Sequence, residues 1–331
     1  MYKMIHFIKK IKSFFVVRDK LYYLNNEGIL ILNNKILFKC YGIEKKLDTI
    51  FCYQNLDDVN TIILKSSGKV IKTPYSLDSN SYNEINTIIH NKDYNLINQQ
   101  IGLYDIEIDN IRWFDNILPF GLNIRNFDSL YYRLSKTKLS SLSLLTGLYL
   151  WELDLGFNYP NAQIHEIIGV YKNVLLVSLN EGTLLGLDTE KGVILWEMPY
   201  QAILKVRFNK ASYLDAEKGF LYFLNTNGFA VLDLSTQKII ASKNDFEGYS
   251  GQVSQFGSGC KNGEYIYFTG SKDTSLFNYW LGVFHIPTMQ IVWEYKNENN
   301  ETFNSPPQVA ENKLYALDSG GTLHIFEREE E

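Results

Sequence analysis

Apolar residues in this chain come in short runs of four to six, separated by clusters of Gly, Asn, Asp and Thr. The clearest stretch is Val174–Leu179, then Asn180-Glu181-Gly182, then Thr183–Asp188, then Thr189-Glu190-Lys191-Gly192, then Val193–Glu197. Runs this short, bounded by turn-forming residues, predict strands joined by tight reversals. The glycines suit the positive φ that such turns need. No apolar pattern of helical period is long enough to compete.

The unit recurs. Downstream it returns as Leu221–Leu224, Phe229–Asp233 and Lys238–Ala241, then as Tyr265–Phe268, Leu281–His285 and Ile291–Glu294. Upstream it is seen in Leu139–Leu144 with Leu148–Glu152, and near the start in Leu21–Leu24, Ile29–Leu32 and Ile36–Phe38. Trp151 and Trp196 stand 45 residues apart, and Ala241 takes the same place 45 residues later. A period near 45 with three or four strands per unit is propeller spacing. The predicted fold is all-β, a single β-propeller over residues 1–331 built of four-stranded antiparallel blades. Residues 41–112 hold only six strand-like pieces where two blades need eight, so the expectation is seven blades, with eight open. The C-terminal unit, Leu314–Asp318 and Thr322–Phe326, lacks an outer strand. Residues 1–12, through Met4-Ile5-His6-Phe7-Ile8, are expected to supply it and close the ring. The competing reading of that segment is a basic amphipathic helix on Met4, Ile5, Ile8, Ile11 and Phe15.

Gly182-Thr183-Leu184, Leu187-Asp188, Gly192 and Leu195-Trp196-Glu197 together resemble the pyrroloquinoline-quinone-type (PQQ-like) β-propeller repeat. Thr146-Gly147 with Leu150-Trp151-Glu152, Val292-Trp293-Glu294 and Gly321-Thr322-Leu323 match it in part. The resemblance covers 128–327 well and 41–112 faintly, with Trp113 as an anchor there. It implies a fold far more than an activity. Quinone-dependent dehydrogenases of that family have a longer chain, calcium, a vicinal disulfide and an export signal. Here no two cysteines adjoin, so no cofactor residue is carried over and no cofactor is expected. The family's outer-membrane-assembly lipoprotein needs a lipobox cysteine behind an apolar leader, and Cys40, the first cysteine, has no such leader before it.

Composition narrows the classes further. Hydrophobic residues make up 45% and aromatic residues 15%, enough for a full core rich in strand-forming rings. The net charge of −5 argues against a nucleic-acid binder, which needs a basic footprint. No run approaches a membrane span or a signal-peptide core, which predicts a soluble cytoplasmic monomer. Cys40, Cys52 and Cys260 form no CxxC pair and read as free thiols in a reducing compartment, with a Cys40–Cys52 bridge as the alternative.

Catalytic and metal motifs do not assemble. His6, His90, His165, His285 and His324 show no ligand spacing, so no metal is expected. Asp78–Glu84 begins like a calcium loop but lacks its glycine and terminal glutamate. Gly248-Tyr249-Ser250-Gly251 is not a nucleophile elbow. The recurring tryptophans read as packing between blades.

Loop asymmetry is the remaining signal. Third-to-fourth-strand turns such as Thr189–Lys191 are short, whereas the excursions 156–163, 243–252, 270–279 and 297–305 fall on the opposite face. They carry Phe157 and Tyr159; Asp245, Phe246, Glu247 and Tyr249; Phe277, Tyr279 and Trp280; Glu298 and Glu301. Rings beside carboxylates suit a protein interface, rings for buried area and charges for steering. The expected function is non-enzymatic protein binding, with a basic toxin domain as partner and an immunity role. The rival readings are a small-molecule site in the central channel and a scaffold subunit.

Overall fold

The computed structural model describes the whole chain except residues 47–48, 54–60, 66, 68, 74–75, 79–85, 92–99, 106–109, 116–123, 127–128, 134, 181, 200–211, 226–227, 245–251, 254–258, 272–278, 304 and 330–331. None of the described residues is helical. The N-terminal strand β1 (Tyr2–Ile8) is followed by β2 (Ile11–Val17), β3 (Lys20–Asn25), β4 (Ile29–Leu32) and β5 (Lys35–Lys39), which form a sheet in that order. The next sheets are β6 (Gly42–Lys46), β7 (Thr49–Tyr53), β8 (Thr61–Lys65) and β9 (Val70–Thr73), then β10 (Ser76–Asp78), β11 (Asn86–Asn91), β12 (Gln100–Asp105) and β13 (Asn110–Asp115). They are followed by β14 (Ile124–Asn126), β15 (Leu130–Arg133), β16 (Lys138–Leu142) and β17 (Tyr149–Asp154), and by β18 (Ile164–Tyr171), β19 (Val174–Leu179), β20 (Leu184–Asp188) and β21 (Ile194–Met198). The pattern continues with β22 (Ser212–Asp215), β23 (Phe220–Asn225), β24 (Gly228–Asp233) and β25 (Lys238–Asn244). In the following sheet two short pieces, β26 (Gln252–Val253) and β27 (Cys260–Asn262), both pair with β28 (Tyr265–Ser271), which is continued by β29 (Trp280–His285) and β30 (Gln290–Lys296). The last strands are β31 (Gln308–Ala310), β32 (Lys313–Leu317) and β33 (Leu323–Arg328).

The described strands thus form eight sheets, one more than the seven blades expected. The difference lies in residues 42–115, which make two complete four-stranded sheets. The pieces missing from the sequence reading are β6, Gly-Ile-Glu-Lys-Lys, and β10, Ser-Leu-Asp. Both are held by their ladders and not by an apolar pattern: β6 pairs with β7 from Gly42↔Tyr53 to Lys46↔Thr49, and β10 with β11 through three residues.

The last sheet has the order β1-β33-β32-β31. Its fourth strand is therefore the N-terminal segment, in a strand conformation and not the competing helix. Tyr2 pairs with Arg328 and Ile8 with Leu323, with one irregularity between Met4 and His6. Trp293 of β30 donates its indole N–H to the Tyr2 carbonyl at 2.9 Å, and the Tyr2 and Tyr267 hydroxyls lie 3.0 Å apart.

By internal contacts the chain forms two compact units: Met1–Asp19, Glu181–Leu184 and Met198–Glu331 in one, Lys20–Asn180 and Leu185–Glu197 in the other. In the second unit a core of Leu139, Ile164, Ile167, Leu175, Val177, Leu185 and Leu187 lies between consecutive sheets. Tryptophans of outer strands reach across to the next sheet. Trp113 donates to the Leu144 carbonyl at 3.0 Å, and Trp151 to the Thr189 carbonyl at 2.8 Å. Each ring packs against a glycine of that next sheet's third-to-fourth-strand turn, Gly147 with φ +72° and Gly192 with φ +67°. A Cβ at Gly147 would come within 2.7 Å of the Trp113 ring. The recurring Gly and Trp of the repeat are therefore physical partners, one residue making room for the other.

Candidate protein interface

Four of the expected interface residues, Tyr279, Trp280, Glu298 and Glu301, are brought to one place in the first unit. Antiparallel pairing of β29 with β30 sets Trp280 opposite Lys296, so Tyr279 and the loop after Lys296 leave the sheet side by side. Asn297 ties them together. Its N–H donates to the Tyr279 carbonyl at 2.9 Å, and its side-chain amide donates to the Glu301 carbonyl at 3.0 Å and the Asp318 carboxylate at 3.1 Å. Its own carbonyl receives the Asn300 N–H at 3.2 Å, with Asn300 in the left-handed region at φ +55°. This is a side-chain-scaffolded turn, for which Asn is suited.

Beneath the loop the Asp318 carboxylate is buried and satisfied. It accepts from the Thr322 N–H at 2.8 Å and meets His324 Nε2 at 2.8 Å. A carboxylate at that distance fits the His tautomer with the proton on Nε2. The imidazole lies among the rings of Tyr295, Phe303 and Phe326. Phe303 is fully buried, so this ring of the 297–305 excursion folds back into the local core. The backbone of Ser319 and Thr302 is joined at 2.7 Å, and the Ser319 hydroxyl donates to the Glu301 carboxylate.

The four residues consequently differ in role. Glu298 is exposed at the tip, beside exposed Asn299 and Asn300. Glu301 is half-buried, its carboxylate engaged by Ser319 as part of the loop's own framework. Tyr279 and Trp280 are half-buried, with the Lys296 ammonium 6.0 Å from the Trp280 ring centroid. The turn between β1 and β2, carrying exposed Lys9 and Lys10, adjoins the same Asp318–Thr322 turn through Ile11 N–H to the Gly321 carbonyl at 2.9 Å.

Phe157 and Tyr159 belong to the second unit, in the loop from β17 to β18. Phe157 is 92% exposed at the loop tip. Tyr159 packs against the core cluster and donates its hydroxyl to the Glu197 carboxylate. Asp154 shapes this loop. It accepts from the Gly156 N–H at 2.9 Å and the Thr137 hydroxyl at 3.1 Å, and the Gly156 bond leads the causes holding its carboxyl below the usual range. Asp245, Phe246, Glu247, Tyr249 and Phe277 lie outside the described residues.

The sequence reading passed over two features. One is the Asn297–Asp318–His324 network, whose members are too far apart in sequence to be matched by spacing. The other is an exposed apolar group at the β16–β17 turn, Leu145, Leu148, Tyr149 and Leu150; Leu145 is 76% and Leu148 68% exposed. Among the described residues no group of three or more His, Cys, Asp or Glu side chains is arranged to hold a metal, and no helix is long and apolar enough to cross a membrane.

No known protein family matches the chain, and no curated protein matches it. Solved structures do. The C-terminal WD40 domain of Sif2 is similar at TM-score 0.68 and 11% identity, over 100% of this chain and 99% of that one. BamB from Moraxella catarrhalis is similar at TM-score 0.52 and 11% identity over 100% and 99%, and the β-propeller domain of Cps50 (Swd1) from Myceliophteria thermophila at 0.54 and 11% over 99% and 100%. With its four-stranded antiparallel sheets, the chain has a β-propeller fold.

Proposed function

We propose that this β-propeller is a non-enzymatic, cytoplasmic protein-binding module, and that it acts as an immunity protein by holding a toxin domain through a basic surface. The observation that carries the reading is the loop 297–303. Its base is fixed by the buried Asn297–Asp318–His324 network, and its tip presents Glu298 beside Tyr279 and Trp280. A loop ordered before binding loses little entropy on binding. Scaffold-mounted loops are where binding function concentrates. The overall charge of −5 favours a basic partner, and Glu298 supplies a local anchor for one. The PQQ-type character of the repeat is part of the same proposal, supported by the pairing of its Gly and Trp positions across sheets.

The test starts from the partner recovered from the native host with the tagged protein. Tyr279→Ala combined with Trp280→Ala should weaken binding at least ~30-fold, the scale of a ~2 kcal/mol hot spot. Glu298→Lys should mainly slow association and flatten its salt dependence. Glu190→Lys, on the third-to-fourth-strand turn where Asp188 organises the backbone, should leave binding unchanged. Equal loss from Glu190→Lys and the double ring variant would place the partner elsewhere. A melting point raised by several degrees on adding quinone or calcium would revive the enzymatic alternative.

A further inference from the structure

Cys40 and Cys52 meet where the chain passes from one sheet to the next. Cys40 lies in the crossing from β5 to β6, and Cys52 is on β7. The turn before β4 clasps Cys40: its N–H donates to the Gly28 carbonyl at 2.8 Å, and a Cβ at Gly28 would meet the Cys40 carbonyl oxygen at 2.8 Å. The next residue, Tyr41, donates to the carbonyl of Tyr53, which follows Cys52, at 2.6 Å. Ile43 is the register partner of Cys52. Both side chains are buried, 3% exposed for Cys40 and 0% for Cys52. Their thiols hydrogen-bond to each other, and that bond, with burial, drives the Cys52 thiol upward and keeps it protonated. Cys260 belongs to the other compact unit.

We propose that Cys40 and Cys52 are an oxidisable dithiol that closes to an internal disulfide, a covalent clamp between two consecutive sheets. A disulfide needs an S–S distance of about 2.05 Å, so the neighbouring thiols must close on one another by side-chain rotation. With hydrogen peroxide, one sulfur attacks the O–O bond and becomes a sulfenic acid as water leaves. The second thiol then attacks that sulfur, the S–S bond forms, and a second water leaves. Two thiols lose two electrons and two protons, and one peroxide is reduced to two waters. Because the thiolate is scarce in the folded state, closure is slow there and faster through local opening or refolding.

The experiment uses the full chain in two arms: the native protein held for hours in hydrogen peroxide, and the denatured protein refolded in a glutathione redox buffer. Each is then alkylated in denaturant and mapped by peptide mass. The expected result is a Cys40–Cys52 cross-linked peptide about 2 Da lighter than the reduced pair, with Cys260 outside it, and a melting point raised by several degrees that dithiothreitol reverses. Cys260→Ser should keep that reversible shift, and Cys52→Ala should lose it. If Cys52→Ala does not fold, the wild-type peptide map decides alone. Alkylation of both cysteines in both arms, or their capture only as glutathione adducts or as bridges to Cys260, overturns the proposal.

Discussion

Gly147→Ala tests whether the repeat is held by its Gly–Trp contacts. Gly147 has φ +72°, and a Cβ there would stand 2.7 Å from the Trp113 ring, whose indole N–H donates to the Leu144 carbonyl at 3.0 Å. Three costs follow. The left-handed conformation costs alanine about 1–2 kcal/mol. Displacing the ring forfeits a hydrogen bond of about 1 kcal/mol. It also exposes some tens of Å² of apolar area, about 1–2 kcal/mol at the usual coefficient. The expected loss is about 3–5 kcal/mol, a large share of the ~5–15 kcal/mol that a domain holds. Gly263 provides the matched control: φ is +56°, and nothing lies within 4 Å of an added Cβ. Gly263→Ala should cost only the conformational ~1–2 kcal/mol. Equilibrium denaturation of both variants gives the comparison, and Trp113→Leu completes a cycle in which Gly147→Ala should fall to the control's cost. Equal destabilisation by the two alanines in the wild-type background would refute the role given to the tryptophan.

Deleting residues 1–8 removes the β1–β33 ladder and the Tyr2 contacts with Trp293 and Tyr267, so the shortened protein should be insoluble or melt many degrees lower; a melting point within two degrees of the full chain would contradict the pairing. Asp318→Ala leaves Asn297, His324 and the Thr322 N–H without their shared acceptor and should cost about 3 kcal/mol or more, measured by denaturant unfolding. Burial raises the hydroxyl pKa of Tyr2, Tyr22, Tyr213, Tyr267 and Tyr315. A raised folded-state pKa favours the neutral phenol, so this stability is fully present below the unfolded value near ~10 and is lost as pH rises above it; unfolding midpoints should hold to about pH 9 and then fall, less steeply in Tyr2→Phe/Tyr267→Phe.

The repeat was legible in the sequence where strands are buried on both faces. Leu175–Leu179 and Leu184–Leu187 read as strands because nearly every side chain meets a neighbouring sheet. β6 and β10 were not legible, since Gly42-Ile43-Glu44-Lys45-Lys46 and Ser76-Leu77-Asp78 owe their conformation to backbone ladders with β7 and β11. At the interface, the loop's position and its ring–carboxylate composition could be read. The division of labour could not. Glu298 and Glu301 are equivalent in composition, but Glu301 is bonded to Ser319, a partner 18 residues away on the next turn. Phe303 is similarly a core residue only because His324 and Phe326 lie beneath it.

The pairing of Tyr2 with Arg328 also sets a timetable for synthesis. At ~5–20 residues per second, the ribosome takes tens of seconds to deliver β33 after β1 has emerged. Throughout that interval Met4, Ile5 and Phe7 belong to a nascent segment with no sheet to join. Lys3, Lys9, Lys10 and Lys12 are dispersed through the first twelve residues, and flanking charges of this kind oppose aggregation of an apolar strand. A chain released before residue 323 carries β1 without its partner strand, so completion of the last sheet reports that translation has passed β33.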